Sequence, residues 1–196
     1  MRLIALALVL ASPLAAQPFG PSNTEGLFVH LALDGQSLGY DEDDLDQTDS
    51  GGGLSARLGY GFSPVFTLYL GVSGATVDGD TNGVIRDEYQ FAAGEIGARL
   101  NLNRGSAWRP YLDVALRGVT AAADDVDLEF RGGGIAVGAG VAYFVSPTVA
   151  LDAAFRLGGG GFNEVDFGAI SFELDADDVG YGEGRLSVGV TAYPFR

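Results

Sequence analysis

His30 is the single histidine in a chain of 196 residues that has no cysteine, so general-base chemistry by imidazole could start only there. Asp34 follows it within GLFVHLALDG, where Leu27, Val29, Leu31 and Leu33 alternate with Phe28, His30, Ala32 and Asp34. Period-two alternation is a strand signature, and it places His30 and Asp34 on one face. Base catalysis also needs a reacting partner within reach and a path for substrate; no serine-containing motif accompanies His30. The expectation is an interior histidine held by hydrogen bonds, no catalytic residue, and a protein that is not an enzyme. A second candidate, Asp78-Gly79-Asp80-Thr81-Asn82-Gly83, opens like a D-x-D-x-N-G calcium loop with Asp78, Asp80 and Asn82 as ligands. Its twelfth position, where a bidentate Glu is required, is Tyr89, and Glu88 comes one residue early. An Asn-Gly turn in an acidic connection explains the same residues. The expectation is therefore no firm metal site and no cofactor beyond divalent cations held loosely along acidic runs such as Asp41 to Asp44 and Asp175 to Asp178.

The remaining ionisable residues sort by their place in the chain. Of 26 acids, 21 fall in four segments: Asp41 to Asp49, Asp78 to Glu88, Asp124 to Glu129 and Glu164 to Glu183. Net charge is −15 and every cation is an arginine, without the clustered basic footprint of a nucleic-acid binder. The charges outside these segments lie mostly within alternating runs, on the face opposite the large apolar residues. Together with His30 they are Asp34, Arg57, Glu95, Arg99, Asp113, Arg117, Asp152, Arg156 and Arg185. Buried charges must be paired, and four acids near five arginines are close to balance, so an ion-pair network is expected on that face.

Eight runs carry these residues. They are GLFVHLALDG, LSARLGYGF, VFTLYLGVSG, YQFAAGEIGARLNL, YLDVALRGVT, a pair inside GGGIAVGAGVAYFVSPTVALDAAFRLG, and GRLSVGVTAYPFR. In the paired runs Ile135, Val137, Ala139, Val141 and Tyr143 alternate with small residues, Ser146-Pro147 interrupts, and Val149, Leu151, Ala153, Phe155 and Leu157 resume. Each run is about ten residues, enough for a tilted strand to cross a hydrocarbon core. Connections alternate between long acidic ones and short ones (around Ser63-Pro64, NRGSAWRP and Ser146-Pro147). In an up-and-down barrel this puts the long loops at one rim and the short turns, with both termini, at the other. The fold class is all-β: an eight-stranded antiparallel up-and-down transmembrane β-barrel.

MRLIALALVLASPLAA at the start has Arg2, an apolar run and small residues before Gln17, the pattern of a secretory signal peptide. The expected division is a signal peptide over 1–16, a short periplasmic lead over 17–24 and a barrel over 25–196. Aromatic residues flank every short turn: Tyr60, Phe62 and Phe66; Trp108 and Tyr111; Tyr143; and Tyr193 with Phe195. That is the placing of a membrane-interface girdle. Tyr193 shares the phase of Arg185 and Ser187, so a bulge is expected between Thr191 and Pro194.

With signal peptide, eight alternating segments, loop asymmetry and an aromatic C-terminus, the chain resembles the small OmpA/OmpX-type outer-membrane β-barrel family from about Glu25 to Arg196. The resemblance implies the bacterial outer membrane, contact with its lipid and lipopolysaccharide, and handling by the barrel-assembly machinery during biogenesis. That machinery reads a terminal aromatic strand; here the chain ends Tyr193-Pro194-Phe195-Arg196, one residue past the usual last aromatic. The function expected is structural and surface-interacting, with a lumen filled by ion pairs and acidic loops displayed to a protein, surface ligand or cation. The longest connection, Gly159 to Gly184, contains alternating AISFEL, which would carry the last two strands above the membrane and offer an edge to a partner strand. Three rivals use the same pattern: a small gated pore, a lipid-modifying barrel enzyme working through His30, and a soluble lipocalin-like barrel with the apolar face inside.

Overall fold

A computed structural model describes residues 24–41, 47–79, 88–102, 105–123, 128–167, 170–173 and 180–195. The signal-peptide segment and nearly all of the lead lie outside them, as do Asp80, Asn82 and much of the acidic connections. Nine strands occur in chain order: β1 Gly26–Asp41, β2 Gln47–Gly61, β3 Phe66–Asp78, β4 Glu88–Asn101, β5 Trp108–Ala123, β6 Leu128–Ser146, β7 Val149–Phe167, β8 Ile170–Glu173 and β9 Gly180–Phe195. Each of the first seven pairs antiparallel with its successor, β7 also pairs with β9, and β9 pairs with β1. Eight long strands thus close on themselves with no free edge around the wall, so backbone polar groups are satisfied between neighbours.

Alternation decides which side chains point in. Along β3 and β4 exposed and buried positions alternate almost without a break. The large apolar residues, among them Leu31, Leu33, Leu54, Leu70, Ile96, Leu116 and Val188, point outward, and the ionisable residues of the membrane-crossing runs, among them Arg57, Glu95, Asp113 and Arg156, point inward. That arrangement excludes the soluble barrel, whose apolar face would be inside. A continuous outer band of Leu, Ile and Val suits lipid.

The strands are longer than the ten-residue runs. β6 and β7 are each 19 residues and stay paired from Ser146–Val149 to Leu128–Phe167. Beyond Gly161, which faces Gly180, β7 leaves β9 and takes the four-residue β8 as its neighbour. Within AISFEL, Ile170–Glu173 therefore folds back on β7 and does not prolong the last strand.

The two ends of the outer band differ. At the short-turn end Tyr60, Phe62, Phe66 and Trp108 are exposed, and Trp108 meets the half-buried Tyr143 at 4.6 Å between ring centroids. At the long-connection end the next outward position after the last large apolar residue is glycine on all eight long strands: Gly35, Gly52, Gly74, Gly94, Gly118, Gly133, Gly159 and Gly184. Gly35 faces Gly52, while Gly118 faces both Gly94 and Gly133.

Each short turn uses a serine hydroxyl to accept backbone N–H groups. Ser63 Oγ accepts from Val65 (3.3 Å) and Phe66 (3.1 Å), Ser106 Oγ from Trp108 (3.3 Å), and Ser146 Oγ from Thr148 (3.3 Å) and Val149 (3.0 Å). Gly105, at φ 75°, supplies the left-handed residue of the middle turn. The pairing of β1 with β9 shifts register between Leu27–Phe195 and Val29–Ala192, the bulge that Pro194 requires.

Inner glycines receive large side chains from the adjoining strands. An ideal Cβ on Gly138 would stand 2.6 Å from Cγ of Arg156, and one on Gly140 would strike the Tyr111 ring. Gly138→Leu and Gly140→Leu are expected to destabilise the barrel by about 1–3 kcal/mol each through overpacking. Gly94→Leu, whose Cβ meets nothing within 4 Å, should leave it intact. Urea titration of the refolded variants, read by heat-modifiable gel mobility, checks the contrast; equal behaviour of the three would show that the inner face is misassigned.

Candidate functional site in the barrel lumen

The lumen is built in three levels. Next to the short turns Phe28, Tyr69, Tyr111, Phe144 and Tyr193 form an apolar cluster with several alanines. Toward the long connections Leu38, Val77, Tyr89, Phe91, Val119, Phe162 and Tyr181 form another, with Phe130 packed against it. Between them lie the charges. All ten residues expected to form the network are buried: His30, Asp34, Arg57, Glu95, Arg99, Asp113, Arg117, Asp152, Arg156 and Arg185.

Glu95, on β4, sits at the centre. Its carboxylate accepts from Arg57 Nε at 2.9 Å and from Arg156 Nη1 at 3.0 and 2.8 Å. Arg185 Nη2 and Arg117 Nε stand 3.6 and 3.9 Å away. Arg156 also donates to Asp113 at 2.9 Å and to the Tyr69 hydroxyl at 2.7 Å. Arg99 lies over the Tyr111 ring at 3.7 Å, between Asp113 (3.7 Å) and Asp152 (3.8 Å), and Tyr111 donates to Asp152 at 2.7 Å. In the cluster next to the short turns Tyr69 and Tyr111 thus turn their hydroxyls toward the ions, a contact phenylalanine could not make.

Three inward residues escaped the pattern in the sequence. Glu183 belongs to β9, not to a loop; it bonds Arg117 and lies 3.3 Å from Arg185, so five carboxylates face five arginines in the central level. Alternation through Tyr181, Glu183, Arg185 and Ser187 is the signal that would have found it. Arg109, in the short connection by sequence, points inward at the turn end and donates to Thr24 Oγ1 (3.0 Å) and the Pro64 carbonyl (2.9 Å). Asp49, near the opposite end, accepts from Tyr89 at 3.0 Å.

Tyr111 and Tyr193 are corrected from interface to interior. Both share phase with inward neighbours, and both rings are buried; Tyr193 stacks on Phe144 at 5.8 Å. Tyr60, Phe62, Phe66, Trp108 and Tyr143 remain on the outside, and Phe195 pairs with Leu27 through the backbone. Tyr89 and Phe162, near the long-connection rim in sequence, also turn inward and help form the upper cluster. His30 is mid-strand, hydrogen-bonded through Nδ1 to Thr191 Oγ1 at 2.9 Å. Asp78 is exposed at the end of β3, and among the described residues no three His, Cys, Asp or Glu side chains gather as metal ligands.

A family model described as "outer membrane protein beta-barrel domain" matches residues 3–190. Among solved structures the chain is similar to Neisserial surface protein A, at 19% identity and a TM-score of 0.64, over 86% of this chain and 97% of that one. It is also similar to the outer membrane protein OprG of Pseudomonas aeruginosa, at 12% identity and a TM-score of 0.54, over 87% and 97%. At these identities the likeness is one of fold. No curated protein matches the sequence.

Removing a partner from a buried ion pair leaves its mate desolvated and uncompensated. Glu95→Gln preserves shape but withdraws the charge shared by Arg57 and Arg156, so the unfolding free energy in urea should fall by about 3–5 kcal/mol. Arg131→Ala breaks the exposed pairs with Glu129 and Asp166 and should leave the urea midpoint in place. An unchanged midpoint for Glu95→Gln would refute the central role of that carboxylate.

Proposed function

The chain belongs to the outer membrane protein β-barrel domain family, and from that membership we propose that it works as a membrane-anchored display scaffold, acting through its acidic loops and not through its lumen. The protein resides in the bacterial outer membrane. In this reading the short turns, the start of β1 and the end of β9 face the periplasm, and the long connections face outward. One observation carries the proposal: the charged level of the lumen lies between two apolar clusters, with five arginines matched by five carboxylates. A solute would have to part those ion pairs and displace aromatic rings at both ends.

The interacting end then lies above the outer band. There β6 and β7 run on together and β8 adds a short strand whose far side has no neighbour among the described strands. Such an edge offers backbone donors and acceptors to an extended partner segment. The acidic connections around it favour a basic partner and take up divalent cations diffusely, including ions that bridge to lipopolysaccharide phosphates. His30 has a structural part: its bonded partner is Thr191 on the adjoining strand, deep in the wall and away from the rim where lipid would be modified. This supports a non-enzymatic protein.

Two measurements test the proposal. Wild-type barrel in planar bilayers should give no discrete conductance steps. Cells displaying a variant in which residues 163–179 are replaced by a short Gly-Ser linker should lose most of their adhesion to polycation- and protein-coated surfaces while the barrel keeps its heat-modifiable mobility. Discrete openings from the wild type, or undiminished adhesion by the variant, would overturn it.

A further inference from the structure

At the short-turn mouth two polar side chains that their place in the chain would leave in solvent are buried. Thr24 precedes β1 and Arg109 is the second residue of β5, yet each is only 1% exposed. They meet at the turn between β2 and β3. Arg109 Nη1 donates to Thr24 Oγ1 at 3.0 Å and to the Pro64 carbonyl at 2.9 Å, and the Thr24 hydroxyl donates to the same carbonyl at 3.0 Å. The guanidinium also stands 6.0 Å from the centroid of the Phe144 ring, at the face of the aromatic cluster next to the short turns. A guanidinium does not lose its proton, so the two bonds it donates are charge-assisted and hold Thr24 firmly.

The backbone is shaped to bring Thr24 to this point. Gly26 has a φ of 90°, the left-handed region that favours glycine, and the chain bends there as it enters β1. Gly26 pairs with Gly61, and a Cβ on Gly61 would collide with the Thr24 carbonyl group. The segment before β1 therefore lies across the end of β2, on a glycine that leaves room for it. Thr67, the partner of Gly61 on β3, is 2% exposed beside it. In the closed wall β5 is four strands from β1 by either route, so Arg109 reaches Thr24 from the opposite side of the mouth.

We propose that Thr24–Gly26 is a strap that closes the short-turn mouth of the barrel, with Arg109 as its latch. The strap is a layer outside the aromatic cluster, and it ties the start of β1 to the β2–β3 turn and to the wall across the opening. Threonine suits the junction because one hydroxyl accepts from Arg109 and donates to Pro64 at the same time; valine, of the same shape, does neither. The strap lies at the rim away from the acidic connections, so it stands or falls independently of any display function there.

The chain contains no cysteine, so Thr67→Cys gives the refolded barrel a single thiol under the strap. A water-soluble maleimide added to this variant in phospholipid vesicles should label it slowly. Adding Arg109→Ala or Thr24→Val should speed labelling at least tenfold while heat-modifiable mobility is kept, and adding Arg131→Ala, at the other rim, should not. Equal rates with and without the strap substitutions, or the same acceleration from Arg131→Ala, would overturn the proposal. The wild type gives a second measurement that needs no variant to fold. Nuclear Overhauser contacts are expected between the Thr24 methyl group and the side chains of Arg109 and Pro64, and their absence would equally refute the strap.

Discussion

Neutrality of an enclosed lumen is the constraint on which the structure depends. Five guanidinium groups that cannot lose their charge lie in the central level between two apolar clusters, so carboxylates must stand within a few ångströms of them. Glu95 answers for several arginines at once because it projects from β4 into the middle of the lumen. Asp113, Asp152 and Glu183, from β5, β7 and β9, complete the match from other sides. Long arginine stems span the width, so carboxylates on one wall meet guanidiniums rooted on another. Pairing in this level is therefore largely between strands that are not neighbours, and it ties the closed wall across its diameter.

That crossing requires room, which explains the composition. Arg156 lies against Gly138, Tyr111 against Gly140, Tyr69 against Gly97, and the pair Arg57 and Glu95 against Gly71. Each large polar residue has its glycine on a facing or adjoining strand. The 31 glycines of the chain are not a mark of disorder; many are the receiving half of a large-to-small match inside a narrow barrel.

Much of this was legible in the sequence, because a strand barrel converts parity directly into inside and outside. The ten ionisable residues chosen by parity are all interior, and the short turns fall at Ser63-Pro64, Ser106 and Ser146-Pro147. Where parity and another signal disagree, parity holds. Tyr111 and Tyr193 flank turns, which points to an interface, yet both share phase with interior neighbours and both are buried. Glu183 and Arg109 fall in connections when strands are taken as ten residues, whereas β5 and β9 are each 16 residues and include both. An acidic run looks like a loop until its alternation is counted. The fold-back of β8 onto β7 was not legible, since four alternating residues can pair on either side.

The two rims show how one wall serves two solvents. At the short-turn rim aromatic side chains hold the outer band at an interface. At the other rim the eight outward glycines end the apolar band without an anchoring side chain. Lipid or headgroup there meets backbone whose N–H and C=O groups are already paired within the sheet, so no unsatisfied group is exposed at the boundary. Past this belt the wall no longer has to suit hydrocarbon, and the chain's charge is concentrated there: Asp49, Asp78, Glu88, Glu129, Glu164 and Asp166 all lie beyond it along their strands. Exposed carboxylates interact over a screening length of about 8 Å at physiological salt. Salt therefore screens the acidic rim, whereas the interior pairs are shielded by an apolar cluster on either side. The same charged groups thus stand under two conditions, screened by solvent at the rim and paired in the lumen, with aromatic packing between them.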